Sequence, residues 1–277
     1  MRKNGTPEIP TIVKWAGGKS QLLTQFDKFF PEKIDYYIEP FLGSGAVFFY
    51  IKRKFNPKKV LLSDTNEELI NAFIVVRDNV DALIEVLRNH KERHNKEYYY
   101  ATRVLDPSTL NDVEKAGRFI YLNKTCFNGL YRVNSKGKFN VPIGSYKNPG
   151  ILKEDVLIEA NKLLQDVDLK IMSFEKVIDF ATKGAFIYFD PPYHPLKKSS
   201  FTSYAKNVFL ETEQRKLAEV FNQLHKRGGN LMLSNSDMDF VKKLYPEFKI
   251  HTVRAKRLIN SKSEGRGEIN EIVVTNY

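Results

Sequence analysis

The chain has 277 residues, 42% of them hydrophobic and 13% aromatic, enough to bury a sizeable core as one large domain or one domain with an insertion. Lys and Arg outnumber Asp and Glu by 44 to 33, a net charge of +11, which favours a polyanionic partner, nucleic acid first and an acidic membrane surface second. A single cysteine, Cys126, excludes an internal disulfide and a Cys-rich metal site, and no run approaches the roughly 18 apolar residues of a spanning helix, so an unexported protein of the reducing cytosol is expected.

In chain order, short apolar runs predict strands at Tyr37 to Phe41, Val60 to Ser63, Leu169 to Met172, Ala185 to Asp190, Asn230 to Asn235, Ile250 to Val253 and Glu271 to Thr275. Helical patterns lie between most of them, for example Ser20 to Phe30, Asn66 to Arg77 and Glu211 to Lys226. Alternating strands and helices predict an α/β fold with a mainly parallel sheet covered on both faces. The alternation fails between about Asn66 and Asp168, where helical patterns dominate, and this stretch reads as an insertion. Within it, Tyr131 to Pro142 (YRVNSKGKFNVP) alternates on both sides of a Ser-Lys-Gly turn and predicts a hairpin.

Two stretches carry chemistry. In Tyr37 to Phe49 (YIEPFLGSGAVFF), a strand runs into Gly43 and Gly45 and then a helix, so the backbone can approach a ligand at a helix N-terminus. Asp64 ends the next strand about twenty residues on, where a carboxylate can accept hydrogen bonds from ribose hydroxyls; together they point to an adenosine-containing ligand. The pattern is neither G-x-G-x-x-G nor a P-loop, which argues against NAD, FAD and a Walker-type nucleotide site. A tight turn with a capping Asp is the alternative.

The second stretch, Phe186 to Leu196 (FIYFDPPYHPL), carries Asp190 to the end of a buried strand, where an unpaired charge is costly. Asp190 and the Pro191 carbonyl can accept both protons of an amino group, aiming its lone pair outward, while Tyr193 offers a ring for stacking. This arrangement would make an exocyclic amino group nucleophilic. A structural turn with Asp as a cap is the alternative.

With these motifs, KWAGGK (Lys14 to Lys19), EPFLGSGAVFF, LSDTN, FNGLYR…FNVPIG and DPPY in this order, the chain resembles, over almost its whole length, the Dam family of DNA adenine N6-methyltransferases (D12 class, alpha group), which includes GATC-specific methylases of restriction-modification systems. The resemblance implies a Rossmann-like S-adenosylmethionine-dependent sheet in two parts, 1–66 and 168–277, with a DNA-recognition domain at 67–167 whose hairpin spans 127–142. It implies S-adenosylmethionine held by Trp15, Ala16, Gly17, Lys19, Glu39, Phe41, Gly43, Ser44, Gly45, Asp64, Phe174 and Asp190, and catalysis at Asp190, Pro191, Pro192 and Tyr193 without a metal. Double-stranded DNA would be met by Lys14, Phe127, Asn128, Leu130, Arg132, Asn134 and Pro142. Phe127 stands where some members carry Tyr, which leaves an apolar wedge and removes a phenolic hydrogen bond. The target adenine would be flipped out of the duplex. A cognate restriction endonuclease sharing the site without direct contact is compatible, and a cytoplasmic, nucleoid-associated enzyme of a prokaryote is expected, with no membrane role.

Asn123 to Lys147 holds Lys124, Arg132, Lys136, Lys138 and Lys147 and no acid, so a groove-entering hairpin is expected, with Arg132 as the candidate for guanine O6 and N7. A hairpin touching only phosphate is the alternative. RAKRLINSKSEGRG (Arg254 to Gly267) reads as a phosphate clamp, and HPLKKSSFTSY (His194 to Tyr204) as a segment closing over the site. His90 and His94 have the spacing of a zinc pair but lack the H-E-x-x-H order and read as a wet helix face; the tyrosines of Asn95 to Arg103 read as packing. A methyltransferase acting on an RNA base or protein amide is the competing function, and a binding protein that has lost catalysis a third.

Overall fold

In the computed structural model the described residues are 9–193, 209–256 and 268–277, and they build one seven-stranded sheet. Its strands are β1 (Tyr36–Glu39), β2 (Lys59–Asp64), β3 (Val167–Ile171), β4 (Phe186–Phe189), β5 (Asn230–Ser236), β6 (Lys249–Lys256) and β7 (Glu268–Thr275), in the order β3-β2-β1-β4-β5-β7-β6. β1 to β5 are parallel, and β7 inserts antiparallel between β5 and β6. All seven predicted strands are present, with ends displaced by a few residues. The segments read as a closing flap and most of the phosphate clamp, residues 194–204 and 257–267, lie outside the described residues.

Burial explains the parallel pairing. β1 and β4 are apolar almost throughout because both faces are covered. Tyr37, Phe186, Tyr188 and Met232 point to one face, and Ile38, Ile187, Phe189 and Leu233 to the other, each set forming part of a separate core. The first face is packed by α2 (Ala46–Phe55); the second by α8 (Glu211–Lys226), with the short α9 (Asp239–Lys242) beside it.

Between β2 and β3 run α3 (Glu67–Asp78), α4 (Val80–Glu92), α5 (Lys96–Val104), α6 (Asp112–Thr125) and α7 (Glu154–Leu164). Asparagine side chains cap three of them: Asn66 accepts from Leu69 N–H at 3.0 Å, Asn95 from Tyr98 N–H at 2.7 Å, and Asn111 forms a capping box with Glu114. The buried faces of these helices share one continuous core with the first face of the sheet. His90 and His94 are not a wet face. His90 stacks on Tyr121 with ring centroids 4.6 Å apart and bonds Tyr98 through Nδ1 at 2.8 Å, while His94 Nδ1 bonds the Tyr121 hydroxyl at 2.9 Å. Burial lowers the His90 imidazole to about 4, so it packs as a neutral ring.

The continuous helix expected over Ser20 to Phe30 is broken into a 3₁₀ turn (Lys19–Gln21), α1 (Leu23–Phe26) and another 3₁₀ turn (Asp27–Phe29). Tertiary contacts override the periodicity here: Lys19 turns into the sheet's carboxyl end to meet Asp190, and Gln25 makes two hydrogen bonds to the backbone of Arg254 on β6, at 2.8 and 3.0 Å.

Lys124 corrects the expected basic surface. It is mostly buried, donates to the Thr11 carbonyl at 3.0 Å, and is lowered to about 8 by burial and then by Lys153 and Lys14. The unfolded chain, with a lysine near 10.4, holds this proton more tightly, so between about pH 8 and 10.4 stability from this site rises with pH. The stability of Lys124→Met relative to the parent, from denaturant unfolding at pH 7 and pH 10, is expected to fall by up to about 3 kcal/mol over that interval. A difference independent of pH would remove the buried-ammonium account.

Candidate active site and nucleic-acid interface

The strand order reverses between the parallel neighbours β1 and β4, where Glu39 ends β1 and Asp190 directly follows β4. In an open α/β sheet this crevice is where ligands bind. Asp190 Oδ1 takes a salt bridge from Lys19 Nζ at 2.7 Å and a hydrogen bond from Ser234 Oγ at 2.8 Å, and Ser234 is within 2.7 Å of the Tyr188 hydroxyl. Both contacts fall on one oxygen. Oδ2 has no protein hydrogen bond among the described residues. Burial raises the Asp190 carboxyl, and Lys19 and Ser234 oppose that rise by favouring the charged form.

The turn after Asp190 is held by side chains that the sequence did not single out. Gln214 on α8 donates through Nε2 to the Pro192 carbonyl at 3.2 Å and accepts through Oε1 from Asn235 Nδ2 at 3.0 Å; both side chains are fully buried. Carbonyls near the prolines are expected to be free to face a substrate; that of Pro192 is instead taken by Gln214, while no hydrogen bond occupies that of Pro191 among the described residues. Tyr193 donates to Glu271 Oε2 at 2.7 Å, and the Lys19 ammonium sits 4.6 Å from its ring centroid. Ser234, Asn235 and Glu271 belong to strand runs whose pattern announces burial and nothing more.

Glu39 is 2% exposed; its Oε2 accepts from the Tyr37 hydroxyl at 2.8 Å, and burial holds its carboxyl well above the usual range. The glycine turn behind it is as expected: Gly43 and Gly45 have φ of +50° and +70°, conformations suited to glycine, and Gly45 caps α2. Asp64 is part of the turn itself. Its Oδ2 accepts from Gly43 N–H at 3.2 Å and its Oδ1 from Asn66 N–H at 3.0 Å, contacts that favour ionisation while the larger effect of burial raises the carboxyl. A side chain on Gly43 would come within 2.9 Å of the Trp15 ring. Ala16 and Gly17 lie exposed beside it, and Ser44 is half-buried. Phe174 and Phe41 stack with centroids 5.4 Å apart, and Phe209 packs on both at 5.7 Å.

The hairpin is shorter than expected. Val133 pairs with Phe139 in a single antiparallel bridge, Asn134 N–H donates to the Lys138 carbonyl at 2.9 Å, and Cys126 bridges Ile143 below. Asn134 is spent largely on the turn, its Oδ1 accepting from the N–H groups of Lys136 and Lys138 at 3.0 Å each. Phe127, Asn128, Arg132 and Pro142 are exposed, Phe127 N–H donates to the Pro142 carbonyl at 2.9 Å, and Leu130 is half-buried against the core. Arg132 Nε donates to Asn140 Oδ1 at 2.7 Å, which orients the guanidinium. Lys14 joins this group: Asn123 brackets its backbone with hydrogen bonds of 2.7 and 2.8 Å, and its ammonium lies 4.1 Å from the Tyr146 ring centroid. Gly129, at φ +63°, admits the Lys14 side chain, since a Cβ there would stand 2.5 Å from Lys14 Cδ. The Cys126 thiol, pushed up to about 11 by burial, is a packing group.

Residues 15–259 match the family described as D12 class N6 adenine-specific DNA methyltransferase. The chain is 46% identical to the Type II methyltransferase M.MjaIII of Methanocaldococcus jannaschii over 98% of its own length and 100% of the relative's. It is 44% identical to the Type II methyltransferase M1.LlaDCHI of Lactococcus lactis subsp. cremoris, covering 96% and 95%. It is 37% identical to a DNA adenine methylase of Haemophilus influenzae, covering 95% and 92%.

Proposed function

The chain belongs to the D12 class of N6 adenine-specific DNA methyltransferases, enzymes whose methyl donor is S-adenosylmethionine, and from that premise we propose that it methylates a flipped adenine in duplex DNA within the sequence GATC. A longer site containing GAT is the second choice. The observation that carries the reading is Asp190: a buried carboxylate with one oxygen fixed by Lys19 and Ser234 and the other without a protein donor among the described residues.

The residues present fit the cofactor. Among the described residues, acidic side chains outnumber ammoniums in the crevice, with Glu39, Asp190 and Glu271 around Lys19, which suits a ligand carrying a sulfonium and an amino group. Trp15, Ala16, Gly17, Lys19, the turn from Glu39 to Gly45 with Phe41 and Ser44, Asp64, Phe174 and Asp190 would hold it. Bound there, it supplies a methyl group on a cationic sulfur, an electrophile that needs no covalent enzyme intermediate.

The protein's part is position and charge. Asp190 and the Pro191 carbonyl accept the two hydrogens of the adenine amino group, and the carboxylate offsets the positive charge that N6 acquires. Pro192 fixes the turn and Tyr193 stacks on the base. Extrusion of the base costs a few kcal/mol, which stacking and edge hydrogen bonds in the pocket offset. On the duplex, Arg132 addresses guanine O6 and N7 and Lys14 the outer guanine, while Phe127 wedges into the stack beside Asn128, with Leu130, Asn134 and Pro142 lining the contact. Any partner endonuclease would meet the same site on DNA and not this protein, and the enzyme would work in the cytoplasm on the nucleoid.

Transfer of labelled methyl from S-adenosylmethionine to two duplexes differing only as GATC and GTTC tests this. Label on adenine N6 in the first alone is expected. Equal labelling of both would sink the specificity, and labelling of RNA instead would favour an RNA-base methyltransferase.

A further inference from the structure

Trp15 is shared between the glycine turn and the hairpin. Its ring lies against Gly43, where a Cβ would stand 2.9 Å away, and stacks on Tyr131 with centroids 5.7 Å apart and planes inclined by 24°. Tyr131 directly precedes Arg132. Its hydroxyl donates to Glu68 Oε2 at 3.0 Å, and Glu68 Oε1 pairs with Arg118 Nη1 at 3.0 Å. Arg118, 3% exposed, also donates to the carbonyls of Thr102 and Arg103 at 3.2 and 3.0 Å. From α5, Arg103 and Tyr99 both donate to the Val141 carbonyl on the returning arm, at 3.2 and 2.9 Å.

Both hairpin arms are thus tied to one charge pair of a buried Arg118 and a half-buried Glu68, and one arm is tied through Trp15 to the glycine turn that Asp64 braces. A buried ion pair adds little net stability, because desolvation cancels much of its attraction. What it supplies here is geometry. We propose that Tyr131 is a positioning residue, held by Glu68 and Arg118, whose stack on Trp15 couples cofactor binding to duplex binding. Either ligand, in ordering Trp15 and Tyr131 as a pair, removes part of the ordering cost the other would meet. The inference rests on the roles given above to the glycine turn and the hairpin.

Trp15 is the only tryptophan, so its emission reports the pair without a label. S-adenosylhomocysteine is titrated against Trp15 emission, with and without a GATC duplex, in the parent, Tyr131→Leu and Tyr131→Phe. In the parent the duplex is expected to tighten S-adenosylhomocysteine by about fivefold or more. Tyr131→Leu brings that ratio close to one, whereas a merely structural defect would weaken both titrations and leave the ratio unchanged. Tyr131→Phe keeps the ring but loses the bond to Glu68, so its ratio is expected to fall between those of the parent and Tyr131→Leu. A parent that methylates the duplex but shows no tightening overturns the inference even if Tyr131→Leu fails to fold, as does an unchanged ratio in Tyr131→Leu. A parent that methylates no duplex overturns the functional reading instead.

Discussion

Asp190→Asn is expected to lower kcat for methyl transfer by roughly 10³-fold while the chain stays folded and binds duplex with little change in affinity. Asparagine keeps the shape of the side chain, and its oxygen can still accept from Lys19 and Ser234, which reach Oδ1 at 2.7 and 2.8 Å. What it removes is the negative charge facing the amino group. Single-turnover transfer and a duplex-binding isotherm on the same preparation check both halves. Unaltered turnover would defeat the assignment of Asp190, and lost duplex binding would make the residue structural. Alanine is the poorer test, because it strands the Lys19 ammonium, 4% exposed, beside an empty space.

Lys19→Met is expected to lower kcat near neutral pH on the order of 10²-fold and to move the acid limb of the kcat profile to higher pH. The sign follows from the geometry. Burial raises the Asp190 carboxyl, and the Lys19 ammonium is the largest influence bringing it back down. Removing that ammonium leaves desolvation less opposed, so more of the enzyme carries a protonated Asp190 at a given pH and activity is recovered only as pH rises. Stability moves the opposite way: a carboxyl raised by folding costs stability at high pH, so the variant is most stable where Asp190 is protonated and weakens as pH increases. A profile lowered uniformly, with no displacement of its acid limb, would show that Lys19 serves the cofactor alone.

Much of this site could be read before any coordinates. The strand-turn-helix at Glu39 to Gly45, the carboxylate closing β2 and the Asp-Pro-Pro-Tyr turn closing β4 are local features. Their meaning depends on strand ends and turn residues that lie within a few positions of one another. The hairpin was legible for the same reason, from alternation around a glycine turn, though only one ladder bridge forms. Lys124 was misread because a lysine in a basic stretch looks solvated until α6 is seen to turn it towards Thr11. His90 and His94 looked wet because the neighbouring charges hid the tyrosines that α5 and α6 bring to them.

By itself the sequence determined the seven strands, the glycine turn, the Asp-Pro-Pro-Tyr turn and the family they spell, since hydrophobic period and backbone-restricting residues act over short range. Only the tertiary structure decided which distant groups meet: Lys19 and Ser234 on Asp190, Gln214 on the Pro192 carbonyl, Glu271 on Tyr193, and Arg118 with Glu68 beneath Tyr131. Those pairings join strands and helices remote in the chain. Periodicity states that a side chain is buried, while the order β3-β2-β1-β4-β5-β7-β6 and the packing of helices on its faces choose the partner that burial demands.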